Sequence, residues 1–329
     1  ANSARGDGMY ARLPRMPGFE EMLVHEERHL VATCADVRPG RPQHLTSGPR
    51  VPPACCPYRR LGAADSRGAK HRTYSPRSVA PQVAISKPAG LLSQRDHTGE
   101  ASAICMAAEW LASTDRRGRA HLVHRLDRRV SGVLLIARST KAASRLSQSF
   151  ARRDVLKSYL ALCDRSARAP ALAEGAEGQV AATLRFDPKQ GRAVAVPVAS
   201  AGADGARSVS LGYSVLGVAD GHALLAVRPR EGFKHQIRAL LASHALPLVG
   251  DVRYGGSPCE SLALHAAAVR LPHPMPAMEG LPLQLTADVP EEWGAVLPPA
   301  TRPLVSLARS ILAGPLDRRL LGSSGDGAT

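Results

Sequence analysis

The chain has 329 residues, with 43 Lys or Arg against 28 Asp or Glu and a formal charge of +15. That length holds one large domain with appendages or two domains, and the charge favours a polyanionic partner, nucleic acid first, because cations that neutralise phosphates release condensed counterions. No apolar run approaches the ~20 residues of a membrane-spanning helix, the six cysteines form no CxxC pair of the kind a zinc site or disulfide framework uses, and four Phe with two Trp are too few for broad base stacking on single strands.

Residues 1–80 carry nine prolines and thirteen Lys or Arg against seven Asp or Glu, with no sustained period of 2 or 3.6. Residues 1–78 therefore read as a basic, Pro-rich extension. Its helix candidate is Phe19–Val31, and Pro39–Pro57 reads as an extended arm lying on a partner. An Arg- and Pro-rich extension fits a protein imported into mitochondria, although its acidic residues weaken the likeness to a transit peptide. The cytoplasm and nucleus are the alternative locations.

The globular part is expected from Val79 to about residue 300, followed by a tail, 301–329, with a short amphipathic helix at Leu304–Leu312. Gln82–Ser86 reads as a strand and Lys87-Pro88-Ala89-Gly90-Leu91 as a turn. Glu100–Ser113 reads as a helix with Ile104, Ala107, Ala108 and Leu111 inward.

Residues 116–153 hold eleven Lys or Arg and one acid, Asp127. Surrounding cations are expected to depress its pKa. The apolar, β-branched run Val133–Ala137 then reads as a strand buried on both faces, so Asp127 falls on the loop feeding a core strand, a usual place for catalytic groups. A solvated basic loop whose acid merely relieves repulsion is the alternative. A metal set of His121, His124 and Asp127 has a spacing suited to one helical face, but the segment runs into a loop and a strand.

Ser139 or Thr140 can cap a helix running to about Arg152. Lys157–Cys163 alternates as a strand, with Leu160 and Leu162 on one face and Tyr159 on the other. Weaker strands are expected at Ala193–Val198 and Ser208–Leu216, and a clear one at Ala223–Val227. Lys234–His244 reads as a helix, and strands follow at Leu262–Leu271 and Leu283–Ala287. Gly322–Thr329 has the composition of a loose end.

Four blocks in this order resemble the RluA-type RNA pseudouridine synthases. Val123–Ala137, with His124-Arg125-Leu126-Asp127 and Ser131-Gly132, is similar to the HRLDxxTSGLLL signature. Ser86-Lys87-Pro88-Ala89-Gly90-Leu91 resembles NKPxGL, Lys157-Ser158-Tyr159-Leu160-Ala161 resembles KxYxA, and Gly232–Gly255 resembles GRTHQIRxHLxxxGHPLxGDxxYG. The likeness covers roughly residues 80–295. Val130, Phe233 and Lys234 depart from it, standing where Thr, Arg and Thr are usual.

The resemblance implies an α+β fold, a mostly antiparallel mixed sheet flanked by helices around a basic central cleft, that isomerises uridine to pseudouridine in RNA without cofactor or metal. It implies Asp127 as nucleophile, Tyr159 against the target base and Arg238 paired with Asp127, bidentate in the fullest form. The target must leave its stack, and Arg125 is the candidate to fill the space it vacates. Arg128, Arg129, Lys157, Lys234 and His235 are the further candidate RNA contacts. Ribosomal RNA, with a ribosomal subunit or its assembly intermediate, is the expected partner, with no membrane and no small-molecule cofactor. The departures leave open a silent synthase fold acting as an RNA-binding assembly component.

Overall fold

The run Ser131–Ala137 has no polar face, and in the computed structural model it forms strand β3, buried at every residue. Such a strand must be covered on both sides: Leu134 and Ile136 enter one apolar cluster, and Val133, Leu135 and Ala137 another. The structure describes Met22 and residues 82–97, 99–113, 119–165, 168–274, 282–313 and 318–321. Apart from Met22, the expected helix Phe19–Val31 lies outside the described residues, as do the arm Pro39–Pro57 and the end Gly322–Thr329.

Ten strands among the described residues form one mixed sheet: β1 (Gln82–Lys87), β2 (His121–Leu122), β3, β4 (Leu156–Asp164), β5 (Glu177–Asp187), β6 (Arg192–Val196), β7 (Arg207–Ala219), β8 (His222–Pro229), β9 (Leu264–Pro272) and β10 (Pro282–Thr286). The order is β1-β3-β9-β4-β8-β7-β5-β6, with β2 on β3 and β10 on β9. Only β3 and β9 run parallel, through Ser131↔His265 and Gly132↔Ala266, immediately after the Asp127 loop. Ser131 Oγ and His265 Nδ1 lie 2.9 Å apart at this junction, and His265 Nε2 lies 3.1 Å from the Ala287 carbonyl.

Gly132 is required at that junction. Its φ is +111°, and a Cβ there would collide with the Ala266 backbone on β9. Gly132→Ala is therefore expected to cost on the order of 4 kcal/mol or more, the range reserved for backbone strain combined with overpacking. Chemical denaturation of the purified variant checks it, and an unchanged midpoint would contradict it.

Helices cover both faces. α1 (Ala103–Ser113) buries Ala103, Ala107 and Leu111, a stripe of i, i+4 spacing, leaving Ile104 half-buried and Ala108 exposed. α2 (Thr140–Ala151) begins at Ser139, whose hydroxyl accepts the Ala142 N–H at 3.2 Å, the capping the sequence suggests. α3 is Gln236–Ser243, α4 Trp293–Val296, α5 Arg302–Ala313 and α6 Arg318–Leu321.

The helix expected in a tail after residue 300 belongs to the core. α5 buries Leu304, Val305, Ala308 and Ile311 in one cluster with Leu160, Leu162, Leu224 and Trp293. Ser158 Oγ donates to the Leu320 carbonyl at 2.7 Å and Arg228 to the Arg319 carbonyl at 2.8 Å, so α6 is tied to β4 and β8. The two faces of β4 divide as its alternation predicts: Leu160 and Leu162 join that cluster, while Ala161, Cys163 and Tyr159 face the larger one.

Candidate active site

Asp127 opens a tight turn, with the Val130 N–H donating to its carbonyl at 3.0 Å. The residues 87–93 staple this turn from outside. Ser93 Oγ donates to the Leu126 carbonyl at 2.8 Å and accepts the Leu126 N–H at 3.0 Å. The Gly90 N–H donates to the Arg128 carbonyl at 2.8 Å. Lys87, completely buried, donates to the carbonyls of Pro88, Leu91 and Arg128 at 2.9, 2.9 and 3.2 Å. Burial pulls its ammonium down to about 7 against the opposing pull of Asp127, while three carbonyls match the three N–H donors of the charged form. The backbone carrying the acid is thus fixed before any substrate arrives. Val130, the first departure from the family pattern, is 3% exposed in the main apolar cluster, where a hydroxyl would need a partner.

Around the acid stand Arg238 and His235 from α3 and its entry. Arg238 Nη1 is 3.9 Å and His235 Nε2 3.7 Å from Asp127 Oδ2. The structure brings Arg238 to face Asp127 through one nitrogen rather than two. Its Nε and Nη2 donate to the two oxygens of Asp251, each at 2.7 Å, leaving Nη1 to face Asp127. Asp251 is completely buried; the sequence placed it in a motif and assigned it no role. One carboxylate thus holds the guanidinium, and the other lines the cavity.

The expected depression of the Asp127 pKa is also reversed. Burial raises it, and the cations Arg238, Arg125, Lys234 and Lys87 offset this incompletely. Charge counting along a sequence omits the desolvation of a carboxyl whose side chain is only 24% exposed. Tyr159 lines the same cavity, and burial together with Asp127 raises its hydroxyl pKa, so the ring stays neutral.

The cavity has a volume of about 390 Å³, within the range of small-ligand sites. Arg125, Lys157, Lys234 and Arg238 line it with Asp127 and Glu231, and Phe150 and Phe233 add apolar wall. Arg125 is exposed there. Lys234 Nζ lies 3.7 Å over the Phe186 ring, and Lys157 Nζ donates to the Glu231 carbonyl at 2.6 Å, with burial lowering its pKa to about 8.

Two expected phosphate contacts, Arg128 and Arg129, have partners within the protein, and the Arg128 pair lies at the surface. Arg128 forms a two-armed pair with Glu100 at 3.0 and 2.6 Å and donates to the Gly90 carbonyl, and Arg129 donates to the carbonyls of Gly250, Cys259 and Glu260. His235, also expected to contact RNA, has a side chain 8% exposed and faces Asp127.

His124 stacks on Phe150 with centroids 4.8 Å apart, and its Nε2 accepts the Leu135 N–H at 2.9 Å. That nitrogen is therefore spent on the backbone rather than open to a metal. Burial holds His124 at about 3, His235 at about 3 and His265 at about 4. Each folded-state value is below the unfolded 6.5, so their stabilising contribution is complete above pH 6.5 and is lost as pH falls toward 3–4. Between pH 7 and pH 5 the loss is expected to total several kcal/mol, on the order of 1.4 kcal/mol per unit for each ring, countered in part by Asp127. Melting temperatures across this range check it, and a flat profile would contradict it.

A family model described as RNA pseudouridylate synthase matches residues 82–243. The chain is 31% identical to tRNA pseudouridine synthase C of Yersinia pestis over 232 residues, covering 65% of this chain and 86% of that protein. It is 30% identical to ribosomal large subunit pseudouridine synthase D of Xanthomonas campestris pv. campestris over 233 residues, 64% of each chain, so it spans under two thirds of that relative's length. The fold is similar to that of human RNA Pseudouridylate Synthase Domain Containing 4, with a TM-score of 0.51 at 22% identity, over 72% of this chain and 91% of that one. With the described fold and these likenesses together, the chain belongs to the RluA-type RNA pseudouridine synthase family.

Proposed function

We propose that the chain isomerises uridine to pseudouridine in structured RNA, ribosomal RNA first, with Asp127 as the nucleophile. The observation that carries this reading is the Asp127 carboxylate, fixed on a turn inside a cationic cavity with Arg238 facing one oxygen. In the reaction the N1–C1′ bond of uridine breaks and a C5–C1′ bond forms, C5 loses its hydrogen and N1 gains one. Product and substrate are isomers, so no electrons are supplied or withdrawn.

A target uridine unstacks at a cost of a few kcal/mol, least in loops and bulges, and its ring meets Tyr159. A carboxylate poorly solvated by burial is a stronger nucleophile than one in water, and covalent attachment divides a hard step into easier ones. Arg238 Nη1 keeps the acid ionised during attack. Arg125, exposed at the cavity, is placed to occupy the stack the base leaves, and Lys234 offers its charge to the phosphates.

The second reading, a silent RNA-binding component, loses one motive because Val130 is a core residue; Lys234 still brings positive charge to the cavity. The basic extension supports a mitochondrial setting with a ribosomal subunit or its assembly intermediate as partner. Incubation of the purified protein with total and ribosomal RNA, followed by pseudouridine mapping at nucleotide resolution, tests the proposal. New pseudouridine at one or a few defined positions is expected, and none in any RNA overturns it.

A further inference from the structure

We infer that His235 is a positioning residue for the Asp127 carboxylate, and that Tyr254 holds it in the form whose Nε2 carries the proton. This rests on the reading of Asp127 as the reacting group. The Ala193 N–H can only donate, so at 2.6 Å the Tyr254 hydroxyl oxygen accepts it. Its own hydrogen is then available to His235 Nδ1, 3.0 Å away. Nδ1 accepts, the ring proton sits on Nε2, and Nε2 faces Asp127 Oδ2 at 3.7 Å. The opposite tautomer would set a bare lone pair against a carboxylate. The gap is longer than a hydrogen bond, as catalytic contacts commonly are before substrate tightens them.

The ring is pinned as well as polarised. His235 sits at φ +60° at the entry to α3, edge-on to Phe186 and to Tyr254 with centroids 5.6 and 5.8 Å away. Arg238, Lys234 and Arg253 press positive charge on it and, with burial, keep it neutral, so it offers Asp127 a donor without a titrating charge. The groups facing Asp127 are Arg238, Arg125, Lys234 and Lys87, with the neutral hydroxyls of Tyr159 and Tyr254 nearby.

Both supports start from one short segment. Asp251 orients Arg238, and Tyr254 orients His235, at the two ends of the single turn of 3-10 helix Val252–Tyr254. The segment packs closely on its neighbours, since a Cβ on Gly256 would strike the Leu248 carbonyl. The turn therefore sets the direction of both nitrogens that face the acid.

The test is a ¹³C NMR titration of the Asp127 carboxyl in the full chain, compared among wild type, Tyr254→Phe, His235→Phe and His235→Gln. Losing a donor to the charged form is expected to raise the Asp127 pKa by about one unit in Tyr254→Phe and His235→Phe, while His235→Gln, which restores an amide donor, returns it toward wild type. The acid limb of the turnover–pH profile moves with it. A purely structural role would lower the melting temperature and leave the titration in place. Tyr254→Phe keeps the ring under Arg238, so it decides the matter if His235→Phe does not fold. An unshifted Asp127 titration in Tyr254→Phe overturns the inference. A shifted titration in a protein that makes no pseudouridine supports it and instead overturns the proposed function.

Discussion

Asp127→Asn is expected to abolish uridine isomerisation, by a factor on the order of 10³ or more, while raising the melting temperature at neutral pH. The two effects have one cause. Burial raises the Asp127 pKa above its ordinary 3.8 despite four nearby cations, so the folded state holds the ionised acid at a disadvantage. The sign follows: the group favours folding below its unfolded pKa, and this contribution is lost as pH rises through the raised folded value. The neutral amide removes that penalty and the nucleophile together. Calorimetry should show a gain at pH 7 that shrinks toward pH 4. A variant that is both inactive and destabilised at pH 7 would mean that the four cations outweigh burial.

Asp251→Ala is expected to cost about 3–5 kcal/mol and to remove most activity, although the residue lies outside the cavity lining. Both of its oxygens accept from Arg238 at 2.7 Å in a fully buried pair. Removing one partner strands a charge away from water, which is far worse than never having buried the pair. The guanidinium would also lose the two bonds that aim its Nη1 at Asp127, so activity falls together with stability. Urea denaturation and single-turnover kinetics measure the two effects. A midpoint within error of wild type would show that Arg238 does not depend on Asp251.

Much of this architecture was legible because local pattern and burial agree. Val133–Ala137 is apolar at every position and is buried at every position, Ser139 caps the helix its hydroxyl suggests, and Leu160 and Leu162 part from Tyr159 across β4. β5 was not picked out, although Val180, Ala182 and Leu184 alternate into the main cluster. Gly178 is small there because the Tyr213 ring occupies the space of its Cβ.

At the site, the motif positions brought Asp127, Tyr159 and Arg238 to one cavity, but the partners of each were hidden. Arg238 pairs with a residue thirteen positions away, a choice made by packing. The charge of Arg128 and Arg129 is plain in one dimension, but their partners within the protein, Glu100 and the carbonyls of Gly250, Cys259 and Glu260, are not. Lys87 was legible only as part of a turn motif, and its three carbonyl bonds exist only once residues 87–91 meet Arg128. Sequence reports charge near Asp127 but not the water removed from it, and removal of water decides the sign of its shift.

The most direct measurement is release of tritium from RNA carrying [5-³H]uridine, since joining C5 to the ribose must expel its hydrogen. Wild-type protein should release label in proportion to the pseudouridine formed, and Asp127→Asn should bind the same RNA with unchanged affinity and release none. Equal release by both proteins, or none by wild type from any structured RNA, would contradict the assignment of Asp127 as the nucleophile of this site.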